Sequence, residues 1–86
     1  MQMRGNGILV LTDDELIFEM WLGGTELRIP LRSIQSLETP TTFLGKSRLM
    51  PLLKVVYTTP HGTTDAVAWQ VSDLGGWMRQ INEARA

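Results

Sequence analysis

The chain has 86 residues, of which 43% are hydrophobic and 20% are charged. This is the composition of one small folded domain, and it excludes a disordered or collagen-like chain. Eight Lys and Arg side chains against nine Asp and Glu give a net charge of −1, which disfavours a strongly basic nucleic-acid binder. The absence of cysteine excludes disulfides and thiolate metal sites, and His61, the single histidine, excludes most histidine-based zinc sites. We therefore expect one domain over residues 1–86, with no cofactor, no metal and no nucleic-acid partner.

The sequence contains no apolar run close to the ~18 residues that a membrane span needs. Residues 1–6 also lack the apolar core of a signal peptide. We expect a cytoplasmic protein without a transmembrane segment, peripheral at the membrane only if a surface loop binds lipid. The start a few residues before the first apolar run fits either a whole protein or one domain of a longer one.

Short apolar runs and alternating patterns predict strands in the first half of the chain. Residues 8–12 and 16–22 are apolar runs, separated by the acidic turn 12–15. A clean alternation over 25–32 predicts a half-buried strand with Leu27, Ile29 and Leu31 on one face. Pro30 cannot donate a ladder hydrogen bond, so we expect this strand at a sheet edge or at a bulge.

The second half of the chain contains two more predicted strands. Ile34 and Leu37 break the preceding alternation, which indicates a bulge or turn near Ser33. Residues 43–50 mix apolar and basic side chains around a glycine, and we interpret them as a long loop or a short irregular strand. Strands are predicted over 52–59 and 63–71, separated by a turn that contains His61. Within the last strand, Val67, Trp69 and Val71 are expected to face the core.

The hydrophobic period changes after residue 72. The last predicted element is an amphipathic helix, whose apolar residues have helical spacing: Leu74, Trp77, Met78, Ile81 and Ala84. Ser72 or Asp73 would be its N-cap, and Arg85 suits the negative end of the helix dipole. Gly75 and Gly76 indicate either close packing of the helix against the sheet or fraying of its first turn.

These elements predict a mainly β fold. An open sheet would leave one apolar face bare unless the single helix covered it, whereas a curved or split sheet closed by the helix buries more surface. We therefore expect a small antiparallel β-barrel or sandwich of five to seven strands, capped by one C-terminal α-helix.

Three segments resemble the pleckstrin-homology-like superfamily, in particular its GRAM and bacterial PH-like branch. Residues 7–12 (Gly-Ile-Leu-Val-Leu-Thr) followed by Leu-Ile-Phe at 16–18 are similar to its opening hairpin. Residues 29–38 are similar to its Ile-Pro-Leu strand and turn, and residues 73–84 are similar to its terminal helix. The resemblance covers roughly residues 5 to 86, and it depends on the order and spacing of motifs that are each short.

The resemblance implies a binding scaffold without catalytic activity. Members of the superfamily bind phosphoinositides or other acidic lipids, or protein segments. The best-known phosphoinositide motif has Lys and Arg in the first hairpin and its loop. Here that loop is Thr-Asp-Asp-Glu at 12–15, and three carboxylates would repel an inositol phosphate. The usual headgroup site is therefore not carried over to this chain.

Residues 43–50 form the first candidate site. Lys46 and Arg48 lie among apolar residues that include Phe43 and Leu44, so the segment could dock on an anionic membrane surface. The alternative is an ordinary connection whose apolar residues tuck against the fold while the two cations stay solvated.

A second candidate is the row formed by Arg28 and Arg32, with Lys54 as a further member. On the polar face of one predicted strand, the two arginines could bind an acidic peptide or a phosphate. The alternative is pairing with cross-strand carboxylates such as Glu19 or Glu26, or simple hydration of an outer face. The acidic turn at 12–15 lacks the spaced ligands of a calcium loop, and His61 has no indicated partner or pocket, so both are interpreted as solvated surface.

An open sheet edge is the last candidate, because it can add a strand from another chain. Trp21 and Leu22, near a predicted hairpin tip, would add exposed apolar surface. No phosphate-binding, nucleophile-elbow or metal-ligand motif is present. The sequence thus favours a non-enzymatic PH-like interaction module that binds protein segments or self-associates. The alternative is a peripheral adaptor for anionic lipids that uses residues 43–50.

Overall fold

The computed structural model describes residues 2–4, 7–20, 26–43, 46–47 and 51–86. The elements among these residues are, in chain order, β1 (Gln2–Arg4), β2 (Gly7–Leu11), β3 (Glu15–Met20), β4 (Glu26–Pro30), a 3-10 helix (Leu31–Ser33), β5 (Ile34–Glu38), β6 (Thr42–Phe43), β7 (Lys46–Ser47), β8 (Leu53–Thr58), β9 (Thr64–Trp69) and α1 (Leu74–Arg85).

Strands β2, β3 and β4 form a three-stranded antiparallel sheet in sequence order. Side chains alternate between the faces of a strand, so every second residue of β3 and β4 points to the core. Leu16 and Phe18 on β3 and Ile29 on β4 are buried in this way, and Leu16 lies opposite Ile29. The alternation predicted for 25–32 therefore holds along β4.

The second sheet has the strand order β1-β9-β8-β5. Strands β9, β8 and β5 are antiparallel to their neighbours, whereas β1 runs parallel to β9. Val55 and Val67 lie opposite each other on β8 and β9, and Leu53 lies opposite Trp69. All four side chains are buried, which confirms the predicted core positions of Val67 and Trp69.

The mainly β class and the single C-terminal helix are confirmed, and of the barrel and the sandwich expected from the sequence, a closed barrel is not formed. Six strands of five or six residues form the two three-stranded antiparallel units, and no described strand pairs across from one sheet to the other. Only β1 departs from the antiparallel arrangement, and β6 and β7 form a separate two-residue pair. The sheets instead share a side-chain core, in which the ring centroids of Phe18 and Trp69 are 5.6 Å apart.

The predicted strand over 25–32 ends early, at Pro30. Residues Leu31–Ser33 turn into a 3-10 helix, and the Ser33 hydroxyl donates to the Pro30 carbonyl at 2.8 Å. The backbone N–H of Leu31 donates to the Asp14 carbonyl at 2.9 Å, which joins this corner to the β2–β3 turn. A register shift between Ile34 and Ser36 follows, so the turn and the bulge expected near Ser33 are both present.

Helix α1 closes the core from one side. Ile81 is its fully buried side chain, while Trp77 and Met78 are partly buried and pack against the same cluster. At the C-terminal end, the Arg85 guanidinium donates to the backbone carbonyls of Ile34 and Gln35 at 2.9 and 3.2 Å. The helix is therefore fixed by apolar packing along its length and by hydrogen bonds at its end.

Asp73 is the N-cap of α1, with a side-chain oxygen accepting from the backbone N–H of Gly76 at 3.1 Å. A Cβ atom at Gly76 would collide with the Asp73 carboxylate, whereas a Cβ at Gly75 would enter open space. The absence of a Cβ at Gly76 thus leaves room for the capping side chain, which differs from both explanations offered by the sequence. Gly75 has no such role.

Alanine at these two glycines should have different effects on stability. Gly75→Ala should raise the free energy of unfolding by up to about 1 kcal/mol, because alanine is the better helix former. Gly76→Ala has the same gain in helix propensity, but the new methyl group displaces the Asp73 cap, a loss of about 1 kcal/mol that cancels the gain. Chemical denaturation of both variants measures the difference. Equal stabilisation by the two variants would contradict the role assigned to Gly76.

Truncation of Ile81 tests whether the helix is part of the core. Ile81→Ala should cost about 2–5 kcal/mol, the range for a large side chain removed from a packed interior. The matched control is Gln80→Ala, at an exposed position one residue earlier, which should stay within about 0.5 kcal/mol of the parent. If both variants unfold at the same denaturant concentration as the parent, the helix does not seal the core.

Candidate functional site

Arg28 and Arg32 both line a cleft of about 310 Å³ between the end of β4 and the start of the β8–β9 turn. Tyr57 and Pro60 form part of the opposite wall. The two arginines do not share one strand as predicted, because Arg28 lies on β4 and Arg32 lies on the 3-10 helix that follows. The early end of β4 at Pro30 separates them.

Arg28 is engaged by carboxylates. Its Nε donates to Glu26 at 2.6 Å, and its Nη1 donates to Glu15 on the neighbouring strand at 2.9 Å. The hydrogen bond that Arg28 donates to Glu26, with the negative charges of Glu26 and Glu15, raises the pKa of the Arg28 guanidinium above its ordinary value. The expected pairing with Glu26 is therefore present, along the same strand and not across strands.

Arg32 is exposed, and no carboxylate of the described residues lies within ion-pair distance of it. Lys54, the third cation of the predicted row, pairs with Glu38 at 3.2 Å on the second sheet. One arginine of the cleft is thus paired with two carboxylates, and the other has no ion pair among the described residues, although Asp13 and Asp14 line a neighbouring depression together with it. As an anchor for an acidic ligand, the cleft offers one arginine without an ion pair instead of the predicted row.

The segment 43–50 contains a short two-stranded element. Phe43 on β6 lies opposite Lys46 on β7, so the expected irregular strand is present as two strands of two residues. Leu44 and Arg48, the other candidate contacts of this segment, lie outside the described residues, as do Trp21 and Leu22. The role of this segment in membrane docking stays a prediction.

The outer face of the β2-β3-β4 sheet carries an apolar patch, which we call the outer patch: Ile8, Val10 and Ile17. Ile8 is 50% exposed and Val10 is 40% exposed, and they are the large apolar side chains most exposed among the described residues. Val10 lies directly opposite Ile17, while Ile8 lies opposite Glu19. The patch is therefore bounded by a carboxylate at one end.

Among the described residues, the strand edge beside the outer patch has no strand partner. The described residues of β2 pair with β3 along all five positions, and no described strand pairs with the other side of β2. Strand β2 contains no charged residue and no proline, and its register has no bulge. Natural sheet edges usually carry one of these features, because each of them discourages pairing with another chain.

The other edges are partly obstructed or short. Pro30 lies on edge strand β4 and cannot donate a ladder hydrogen bond. On edge strand β5, the carbonyls of Ile34 and Gln35 already accept hydrogen bonds from Arg85. The remaining edge strand of the larger sheet, β1, has only three residues. Strand β2 is thus the long edge without a blocking group in the described part of the chain.

Sequence reasoning predicted an open edge but did not locate it. The available signal was the run Ile8-Leu9-Val10-Leu11, in which consecutive apolar residues make both faces of one strand apolar. Apolar and polar side chains normally alternate along a half-buried strand, so two of the four apolar side chains in this run cannot point to the core. Leu9 and Leu11 pack against the core, which leaves Ile8 and Val10 on the outside.

The described residues show no metal centre and no membrane span. No group of three or more His, Asp or Glu side chains in these ranges is placed to hold a metal ion. No helix found in them has both the length and the apolar character needed to cross a membrane. The acidic turn is exposed at Asp13 and Asp14, and its backbone is held by hydrogen bonds to the Thr12 hydroxyl.

Comparison of the chain with family models, with curated proteins and with solved structures found no match.

Proposed function

We propose that this chain is a non-enzymatic interaction module of the PH-like kind, which binds an extended protein segment along strand β2. The observation that carries the proposal is the unblocked edge of β2 beside the outer patch. The segment would add to the sheet as a further antiparallel or parallel strand. This mode of recognition uses backbone hydrogen bonds for affinity and alternate side chains for specificity.

The backbone of β2 supplies the hydrogen-bonding groups. Successive residues of an edge strand direct their N–H and C=O groups alternately toward the neighbouring strand and away from it. The groups directed away from β3 are available to a segment that lies alongside. Since no residue of β2 is proline, no donor of this strand is missing.

The outer patch supplies the apolar contact. In an added strand, the residues beside Ile8 and Val10 point to the same face as these two side chains. Apolar residues at those alternate positions would cover surface that is now half exposed to water. The partner is therefore expected to be a short apolar strand and not a folded charged surface.

A peptide titration followed by NMR tests this proposal. The probe is a synthetic peptide of about six alternating valine and threonine residues, the usual length of a strand, with a lysine at each end for solubility. We expect saturable shifts of the amide signals of Gly7–Leu11. The amides of Ile34–Glu38 should not move, because Arg85 occupies carbonyls of that edge.

Ile8→Lys is the variant that should abolish binding, because a lysine on an edge strand opposes strand addition. The dissociation constant of the peptide should rise at least tenfold, which corresponds to about 1.4 kcal/mol. Thr41→Lys adds the same charge at an exposed position outside the β2-β3-β4 sheet and should bind as the parent does. No shifts in a parent that is monomeric, or shifts confined to the cleft of Arg32, would overturn the proposal.

A further inference from the structure

We infer that the segment which pairs with β2 is β2 of a second copy, so that two chains form one continuous six-stranded sheet around a two-fold axis. The inference rests on the proposed function, because it names the partner of the same edge. It follows from the self-complementarity of Gly7–Leu11 and from the positions of the carboxylates around it.

The geometry of a two-fold contact fixes the register. When the axis is perpendicular to the sheet, the two copies of β2 are antiparallel and their outer faces point the same way. Residues opposite each other must then lie on the same face, so an outer residue such as Ile8 can face only another outer residue. An axis that passes through Leu9 pairs all five residues of each β2 with the other copy. An axis shifted by one residue along the strand would pair only three.

In this register each copy places Ile8 opposite Val10 of the other copy. Since Val10 is already opposite Ile17, each row of the joined sheet contains Ile17, Val10 and the second copy's Ile8 side by side. The two outer patches therefore merge into one, and the most exposed apolar side chains of each copy gain an apolar neighbour. On the inner face, Leu9 faces its own copy beside the core.

The charges around β2 permit this contact. Strand β2 has no charge, so no like charges meet at the new edge. The nearest outer carboxylate is Glu19 on β3, opposite Ile8. Glu19 and its copy would be three strand spacings and two residues apart, roughly 16 Å, which is about twice the screening length at physiological salt. Packing the outer faces against each other would instead bring two faces of net charge −2 together, since each carries Glu15, Glu19 and Glu26 against the single cation Arg28.

Cysteine pairs test the register, and the chain offers a clean background because it contains no cysteine. Residues 8 and 10 of different copies would be opposite, with Cα atoms about 4.5–5.5 Å apart, within the range of a disulfide. Residue 8 would lie roughly 8 Å from residue 8 of the other copy, beyond that range, and the same holds for residue 10.

Mixing the variants Ile8→Cys and Val10→Cys under mild oxidation should therefore give a covalent heterodimer, while each variant alone should give far less. Both positions are exposed, so neither change removes a core side chain. Light scattering of the parent should give a mass near twice 9.7 kDa, and Ile8→Lys should return it to the mass of one chain. Thr41→Lys should remain dimeric.

Other results separate this inference from the function on which it rests. A monomeric parent that forms no mixed disulfide but shows the peptide shifts at β2 would overturn the second copy as partner and leave strand capture standing. A dimer without the mixed disulfide, or with equal cross-linking of each variant alone, would overturn the register and the inference with it. A monomer that also fails to bind the peptide would overturn both.

Discussion

Packing of side chains, and not backbone pairing, joins the two sheets of this domain. No hydrogen-bonded strand pair among the described residues connects β2-β3-β4 to β1-β9-β8-β5. The connection is the shared core, in which Phe18 of one sheet contacts Trp69 of the other and Ile81 of the helix is completely buried. Because the sheets are not closed into a barrel, each keeps its edges. Every functional property proposed for the chain depends on what happens at those edges.

The parts of the fold that sequence could predict are those set by local periodicity. The alternation of Leu27 and Ile29 predicts β4, and the helical spacing of Leu74, Trp77 and Ile81 predicts α1, because burial on one face imposes these periods. Closure of the sheet is not a local property. It depends on whether distant edges meet, and no pattern within one strand encodes that, so the sequence left a barrel and a sandwich as alternatives.

The candidate site shows the same division. Arg28 and Glu26 are two residues apart in the sequence, and their pairing was among the alternatives that the sequence offered. The contact of Arg85 with the carbonyls of Ile34 and Gln35 joins residues about fifty positions apart, and a backbone carbonyl leaves no mark in the sequence. The identity of the open edge follows only when such distant contacts are known, because an edge is defined by what fails to cover it.

Arg85 therefore has a consequence that exceeds its few hydrogen bonds. Because the Arg85 guanidinium binds two carbonyls of β5, strand β2 is the long edge available for pairing in the described part of the molecule. Chains with one such edge can join only in closed pairs. If Arg85 were lost, two carbonyls of β5 would be released, but Glu38 and the bulge between Ile34 and Ser36 would still discourage strand addition there. The edge of β5 is thus protected twice, once by its own sequence and once by the end of the helix. A unit with two dissimilar joining edges would add copies head to tail into a filament, and this double protection favours a bounded assembly.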